Sequence, residues 1–126
     1  MTSKEAKKLF KKTYFWNETL GQYYHFISDK EEFEKTMNWL GLGCPKLYSG
    51  RCQVIINGDA EERIIIGVFN NDDSTLVHEC IHAGLFTMEI IGQKIPYDDE
   101  FLPYITTWIF RECKKKMDKE EICNGD

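Results

Sequence analysis

The spacing of apolar positions changes character along the chain, and each change marks an element. Residues 1–12 place lysines at helical spacings and read as a short basic helix or tail. The aromatic-rich stretch from Thr13 to Ile27 has no clean period, and a strand is expected near Gln22–Ile27. Ser28 or Asp29 then caps a helix from about Lys30 to Leu40, with Phe33, Met37 and Leu40 on one face and Gly41 or Gly43 as the stop. Cys44–Gly50 reads as loop. Cys52–Asn57 and Arg63–Phe69 are β-rich runs joined by Asn57-Gly-Asp-Ala-Glu-Glu62, the pattern of a hairpin. Asn70-Asn-Asp-Asp-Ser74 is a turn that delivers an N-cap, so a helix is expected from about Ser74 to Ile91, ended by Gly92. A second long helix follows Ile95-Pro-Tyr97, somewhere between Asp98 and Lys119.

The Ser74–Ile91 segment carries the chemistry. From Ser74 to Met88 its only charged side chain, with histidine counted as neutral, is Glu79. Leu76, Val77, Ile81, Leu85 and Met88 make nearly every other face apolar, so the helix is expected to be buried. A lone carboxylate in such a helix needs a partner or a proton. Within it stands His78-Glu79-Cys80-Ile81-His82, which uses two of the three histidines in the chain. At about 100° per residue, His82 falls about 40° round from His78 and one turn along, and Glu79 lies about 60° beyond His82. Two imidazoles stacked in this way share one Zn²⁺ at about 2.0–2.1 Å, and the carboxylate beside them reaches the water on the metal. A chance HExxH in a chain of this length arises on the order of a few times in a thousand. The competing reading is a core helix whose histidines merely hydrogen-bond.

Composition narrows the setting. One hundred and twenty-six residues make a single domain. Eight Phe, six Tyr and three Trp supply a real core, which excludes disorder as the main state. No stretch approaches the roughly 18 uncharged apolar residues that span a bilayer. The first twelve residues carry five lysines and no apolar segment, so no secretory leader is expected and the cytoplasm is the expected compartment. The net charge of -5 divides into +4 over residues 1–12, zero over residues 111–126 and -9 between. An acidic body has no broad electrostatic claim on nucleic acid, so neither nucleic acid nor membrane is an expected partner, and the lysines read as a solvated helix face. Five cysteines without C-x2-C pairs exclude a zinc ribbon and point to reduced thiols rather than a disulfide framework.

Strand, acidic turn and HExxH helix together resemble the zincin superfamily of zinc metallopeptidases, most of all the small cytosolic zincins of bacteria, phages and mobile elements. The resemblance covers roughly residues 52–112. It implies an α+β class: a minimal zincin-like fold in which a small antiparallel-containing sheet packs on the HExxH helix and a C-terminal helix. The variant with a third histidine, HExxHxxGxxH, is excluded, because its glycine would be Leu85 and its histidine Met88. Glutamate-type zincins take the third ligand from the next helix. Glu100, 18 residues after His82, is the first choice, with Asp98 and Asp99 next and His25 and Glu89 behind them. Many such members place an aspartate four residues after that ligand; here the position holds Tyr104. Asp72 or Asp73 could brace a histidine.

The resemblance also implies hydrolysis of an amide in a peptide or protein substrate through a Zn²⁺-bound water, with His78, His82 and Glu100 as ligands. Glu79 would take the water's proton and hand it to the leaving amine. Tyr104 or Tyr97 would steady the oxyanion, and the peptide would lie along the Arg63–Phe69 edge or its hairpin neighbour. Two other classes use the same residues: a catalytically silent, metal-stabilised interaction protein, and a non-peptide amidase. The presence of Glu79 favours catalysis, because a structural zinc site is closed by four ligands and needs no base.

Overall fold

Ala6, Leu9 and Thr13 recur at helical spacing, and in the computed structural model they form the buried face of a true helix, α1 (Ser3–Thr13), capped by the Thr2 hydroxyl. The structure describes residues 1–43, 49–56, 62–92 and 100–124, the last four of these by backbone alone. Directly after α1 comes β1 (Tyr14–Asn17), a strand that no period announces. It turns back through Gly21 into β2 (Gln22–Ile27), which matches expectation. Of the two cap candidates Asp29 is the one used: its carboxylate accepts from Glu32 N at 3.0 Å and opens α2 (Lys30–Trp39).

β3 (Gly50–Ile56) begins two residues earlier than its β-branched run suggests, and β4 (Glu62–Val68) pairs with it antiparallel. The turn between them lies outside the described residues, as do Tyr97, Asp98 and Asp99. α3 (Asp73–Ile90) is capped by Asp72, whose carboxylate accepts from Ser74 N at 2.7 Å. Gly92, at φ 73°, takes the left-handed conformation that closes a helix of L-residues. α4 (Phe101–Asn124) starts one residue after Glu100. Pro103 falls in its first turn, where a missing N–H removes no helical bond.

The described strands form a four-stranded mixed sheet in the order β1-β2-β4-β3, with β2 and β4 parallel and the other pairs antiparallel. The class is therefore α+β. Alternation along the strands gives the sheet two apolar faces. On one, Phe15, Tyr24, Phe26, Ile64, Ile66 and Val68 pack against α3 and α4 through Leu76, Cys80, Ala83, Ile105 and Ile109. On the other, Ile27, Ile55 and Ile65 meet Leu9 of α1 and Phe33 and Met37 of α2. Among the described residues no helix is long and apolar enough to cross a membrane.

Two buried polar relays tie the layers together. The Tyr24 hydroxyl and Thr87 Oγ1 lie 2.9 Å apart, and Thr87 Oγ1 donates to Ala83 O at 2.8 Å; the Tyr24 proton therefore goes to Thr87, which pins β2 to α3. Burial pushes the Tyr24 phenol up to about 12, against a smaller lowering by the Thr87 bond, so it stays a donor throughout the ordinary pH range. On the opposite face Thr13 Oγ1 donates to Leu9 O at 2.9 Å and so accepts from His25 Nδ1 at 3.0 Å. That leaves His25 Nε2 as acceptor for the Arg63 guanidinium at 2.9 Å. His25 is thus a satisfied core residue on the α1 side of the sheet and not a metal ligand.

This neutral histidine makes stability depend on pH. Burial, then the charges of Arg63 and Lys116, lowers its pKa to about 3 from the ordinary 6.5. The unfolded chain takes a proton that the folded one refuses, so the contribution is complete above pH 6.5 and is lost as pH falls towards 3. For metal-free protein, urea unfolding at stepped pH is expected to show stability dropping by roughly 1.5 kcal/mol between pH 6.5 and 5. His25→Gln should flatten that slope; an unchanged slope would assign it to other groups.

Candidate metal centre

The face that α3 turns to the sheet is set by small and apolar residues. Leu76, Cys80, Ala83, Gly84 and Thr87 are buried, and Gly84 lets α4 approach so closely that a Cβ there would lie 2.5 Å from Thr106 Oγ1. Lys114 of α4 bonds Asp73 at 2.8 Å and ties the two helices at the other end. With that face fixed, 100° per residue carries His78 and His82 round to the solvent side and leaves Glu79 at the junction with the sheet. The expectation of a helix buried all round is corrected here: Val77, Ile81 and Leu85 are 43%, 45% and 40% exposed. Their apolar character belongs to a surface and not to the core.

His78 Nε2 and His82 Nε2 lie 3.2 Å apart, with the rings nearly edge to face at 71°. Two nitrogens at about 2.0–2.1 Å from one tetrahedral ion are separated by about 3.3–3.4 Å, so the rings already stand close to the spacing of two ligands on one metal. The ligand atoms of His78, Glu79 and His82 all fall within 4.8 Å of one another, the only such group of three among the described residues. Two imidazoles and a carboxylate form a nitrogen–oxygen group of the kind that could hold a metal ion. Cys52, Cys80 and Cys113 are free thiols nearby in the core. Burial pushes the Cys52 and Cys113 thiols well up, which keeps them protonated and outside the donor set.

Glu79 is buried while both histidines are exposed. Burial raises its pKa, and the neighbouring imidazoles His78 and His82 pull it back down. A carboxylate whose proton affinity is lifted in this way is a better base than a free one. Its position depends on Gly50, the first residue of β3. A Cβ at Gly50 would meet Gly67 O and Thr75 Cγ2 at 2.8 Å and Glu79 Cγ at 3.1 Å, so only glycine lets the strand come this near the helix. Beside this contact Ser49, Gly50, Ser74, Thr75, His78 and Glu79 line an open depression of about 420 Å³.

The remaining candidates lie elsewhere. Glu100 stands exposed just ahead of α4, its carbonyl accepting from Tyr104 N at 3.0 Å, and is not one of the clustered groups. Tyr104 is 49% exposed on the first turn of α4, and its hydroxyl makes no hydrogen bond among the described residues. Asp72 and Asp73 cap α3 and pair with Lys114, so neither braces a histidine. Glu89 is exposed near the far end of α3, outside the cluster. Gly50 and the wall it allows had no sequence signal beyond a glycine ahead of a β-branched run. Compared with known proteins, the chain matches no family model, no curated sequence and no solved structure.

Metal-free protein without a histidine tag is expected to take up one equivalent of Zn²⁺ in calorimetric titration, with melting shifted upward. His78→Ala and His82→Ala should each lose that uptake while remaining folded. Uptake that survives both substitutions would move the centre to other residues.

Proposed function

We propose that the chain is a zinc-dependent hydrolase of peptide bonds, of the zincin type. The 3.2 Å separation of the two histidine Nε2 atoms, with the buried Glu79 carboxylate beside them, is the observation that carries this reading. In it His78 and His82 hold the ion, and a carboxylate from the start of α4 or the residues before it completes the set: Glu100 first, Asp98 or Asp99 otherwise. A bound Zn²⁺ supplies an acidified water and a Lewis acid at this position. Glu79, raised in proton affinity by its burial, takes the proton of the attacking water and returns it to the leaving amine. Of the two substrate edges expected, the hairpin neighbour is the better supported, because β4 is interior while β3 has an edge that is free among the described residues and reaches the cluster at Gly50. An extended peptide would pair its backbone with β3 and bring one amide past Glu79. Tyr104 is kept as oxyanion partner only if a substrate draws the start of α4 inward. Three free thiols, two of them buried, suit the reducing cytoplasm as the place of work.

The exposed row Val77, Ile81 and Leu85 beside the histidines favours a second reading, a metal-stabilised interaction protein that binds through α3 and cuts nothing. One substitution separates the two. Glu79→Gln is expected to keep the metal and to lower cleavage of a mixed peptide library by a factor of roughly 10² or more, followed by mass spectrometry. Cleavage absent already in the zinc-loaded parent favours the interaction reading, whereas cleavage unchanged in Glu79→Gln would take the role of base away from Glu79. Glu100→Ala should weaken zinc binding about tenfold or more in competition with a chromogenic chelator. Unchanged affinity would pass the third position to Asp98 or Asp99.

A further inference from the structure

The sheet face turned away from the metal centre carries a second assembly. α1 and α2 cover it only in part, over Ile27, Ile55 and Ile65. Beyond them Trp16, Tyr23 and Arg63 stand in register across β1, β2 and β4. The Trp16 and Tyr23 rings are 4.3 Å apart between centroids, Tyr14 lies 6.2 Å from Tyr23, and the Arg63 guanidinium sits 4.4 Å over the Tyr23 ring. Arg63 is held from behind by His25 Nε2, so its position is fixed within the sheet. Even so, Tyr14 and Trp16 remain 46% and 41% exposed. Aromatic rings beside a held guanidinium, open to water, form a stacking surface.

The same face carries a cationic ridge. α1 runs straight into β1, and its solvent side bears Lys4, Lys7, Lys8, Lys11 and Lys12, all exposed and none ion-paired among the described residues. Five charges thus line a helix segment roughly 12 Å long. On the same face α2 brings Glu31, Glu32 and Glu34 against Lys30 and Lys35, but the Debye length at physiological salt is about 8 Å, so the part of the α1 strip beyond that reach keeps its positive potential. The apolar residues Ala6 and Leu9 of α1 are spent on the core, which leaves this helix no face to insert into a bilayer. An acidic protein partner would answer the lysines but leave the ring faces unused. Polyanion and planar rings together match one ligand class.

We infer that this face binds single-stranded nucleic acid, its bases stacking on Trp16 and Tyr14 beside the Arg63–Tyr23 pair and its phosphates following the lysines of α1. Local arrangement overrides the averaged acidity that argued against such a partner. The site is independent of the metal centre.

A fluorescently labelled oligothymidylate of about 12 nucleotides, titrated with the full chain and read by anisotropy, tests it. Binding in the micromolar range at about 50 mM salt, falling by at least tenfold at about 200 mM, is expected. Trp16→Ala should weaken it about fivefold or more and Trp16→Phe should restore most of it, while Lys7→Glu with Lys11→Glu should weaken it about tenfold and flatten the salt dependence. Tyr14→Ala offers a second ring variant, and far-ultraviolet dichroism checks that each variant is folded. His78→Ala should bind as the parent does. No binding at low salt, equal binding of a duplex, Trp16→Ala and Tyr14→Ala both binding like the parent, or stronger binding to phosphatidylserine-containing vesicles than to the oligonucleotide would each overturn the inference.

Discussion

The candidate centre depends on the rotational phase of α3. A helix with apolar residues on almost every side has no strong preference of its own for which face it buries, so its neighbours must decide. Three contacts do so here. The Tyr24 hydroxyl holds Thr87, Gly84 admits α4, and Gly50 lets β3 close against Thr75 and Glu79. Together they place two imidazoles in solvent and one carboxylate at the sheet. A roll of 60° in either sense would bury a histidine or expose the glutamate. The burial of Glu79 beside two exposed imidazoles is therefore a packing property, and the pentapeptide alone does not secure it.

The pattern of residues revealed some of this and concealed the rest for physical reasons. The hairpin strands, α2 and the extent of α3 were legible because period, caps and turn residues agree locally. β1 was not: four residues show too few alternations, and both faces of Tyr14-Phe15-Trp16-Asn17 carry a ring. Val77, Ile81 and Leu85 looked like core because hydrophobicity records what a residue tolerates and not what lies opposite it. Asp72 and Asp73 look equally suited to bracing a histidine or to capping, and only the positions of Ser74 N and Lys114 separate the two roles. His25 gave no hint of its partners, since Thr13 and Arg63 lie 12 and 38 positions away. The His78–His82 pair was legible because helical geometry brings the two imidazoles together without help from the rest of the chain.

The sheet keeps the two assemblies apart. Glu79 stands between β3 and α3 on one face, while the α1 lysines and Arg63 occupy the other. Between them lie three central isoleucines of β4, Ile64, Ile65 and Ile66, all fully buried. A layer of that kind keeps each set of charges in its own solvent environment, and a net charge taken over the whole chain averages away what each face presents.

β3 brings a demand of another sort. It is a seven-residue strand with one side of its backbone unpaired among the described residues, and a ladder of open donors and acceptors receives any extended chain that reaches it. Long natural edges are usually blunted by bulges, prolines or charges. Among the described residues this one has Arg51, whose guanidinium is turned to Gln53. A strand left open enough for a substrate is open to a second copy of the same strand. Colloidal behaviour at high concentration and access to the centre are thus set by the same backbone, and any change that closes the edge to self-association also narrows the way in.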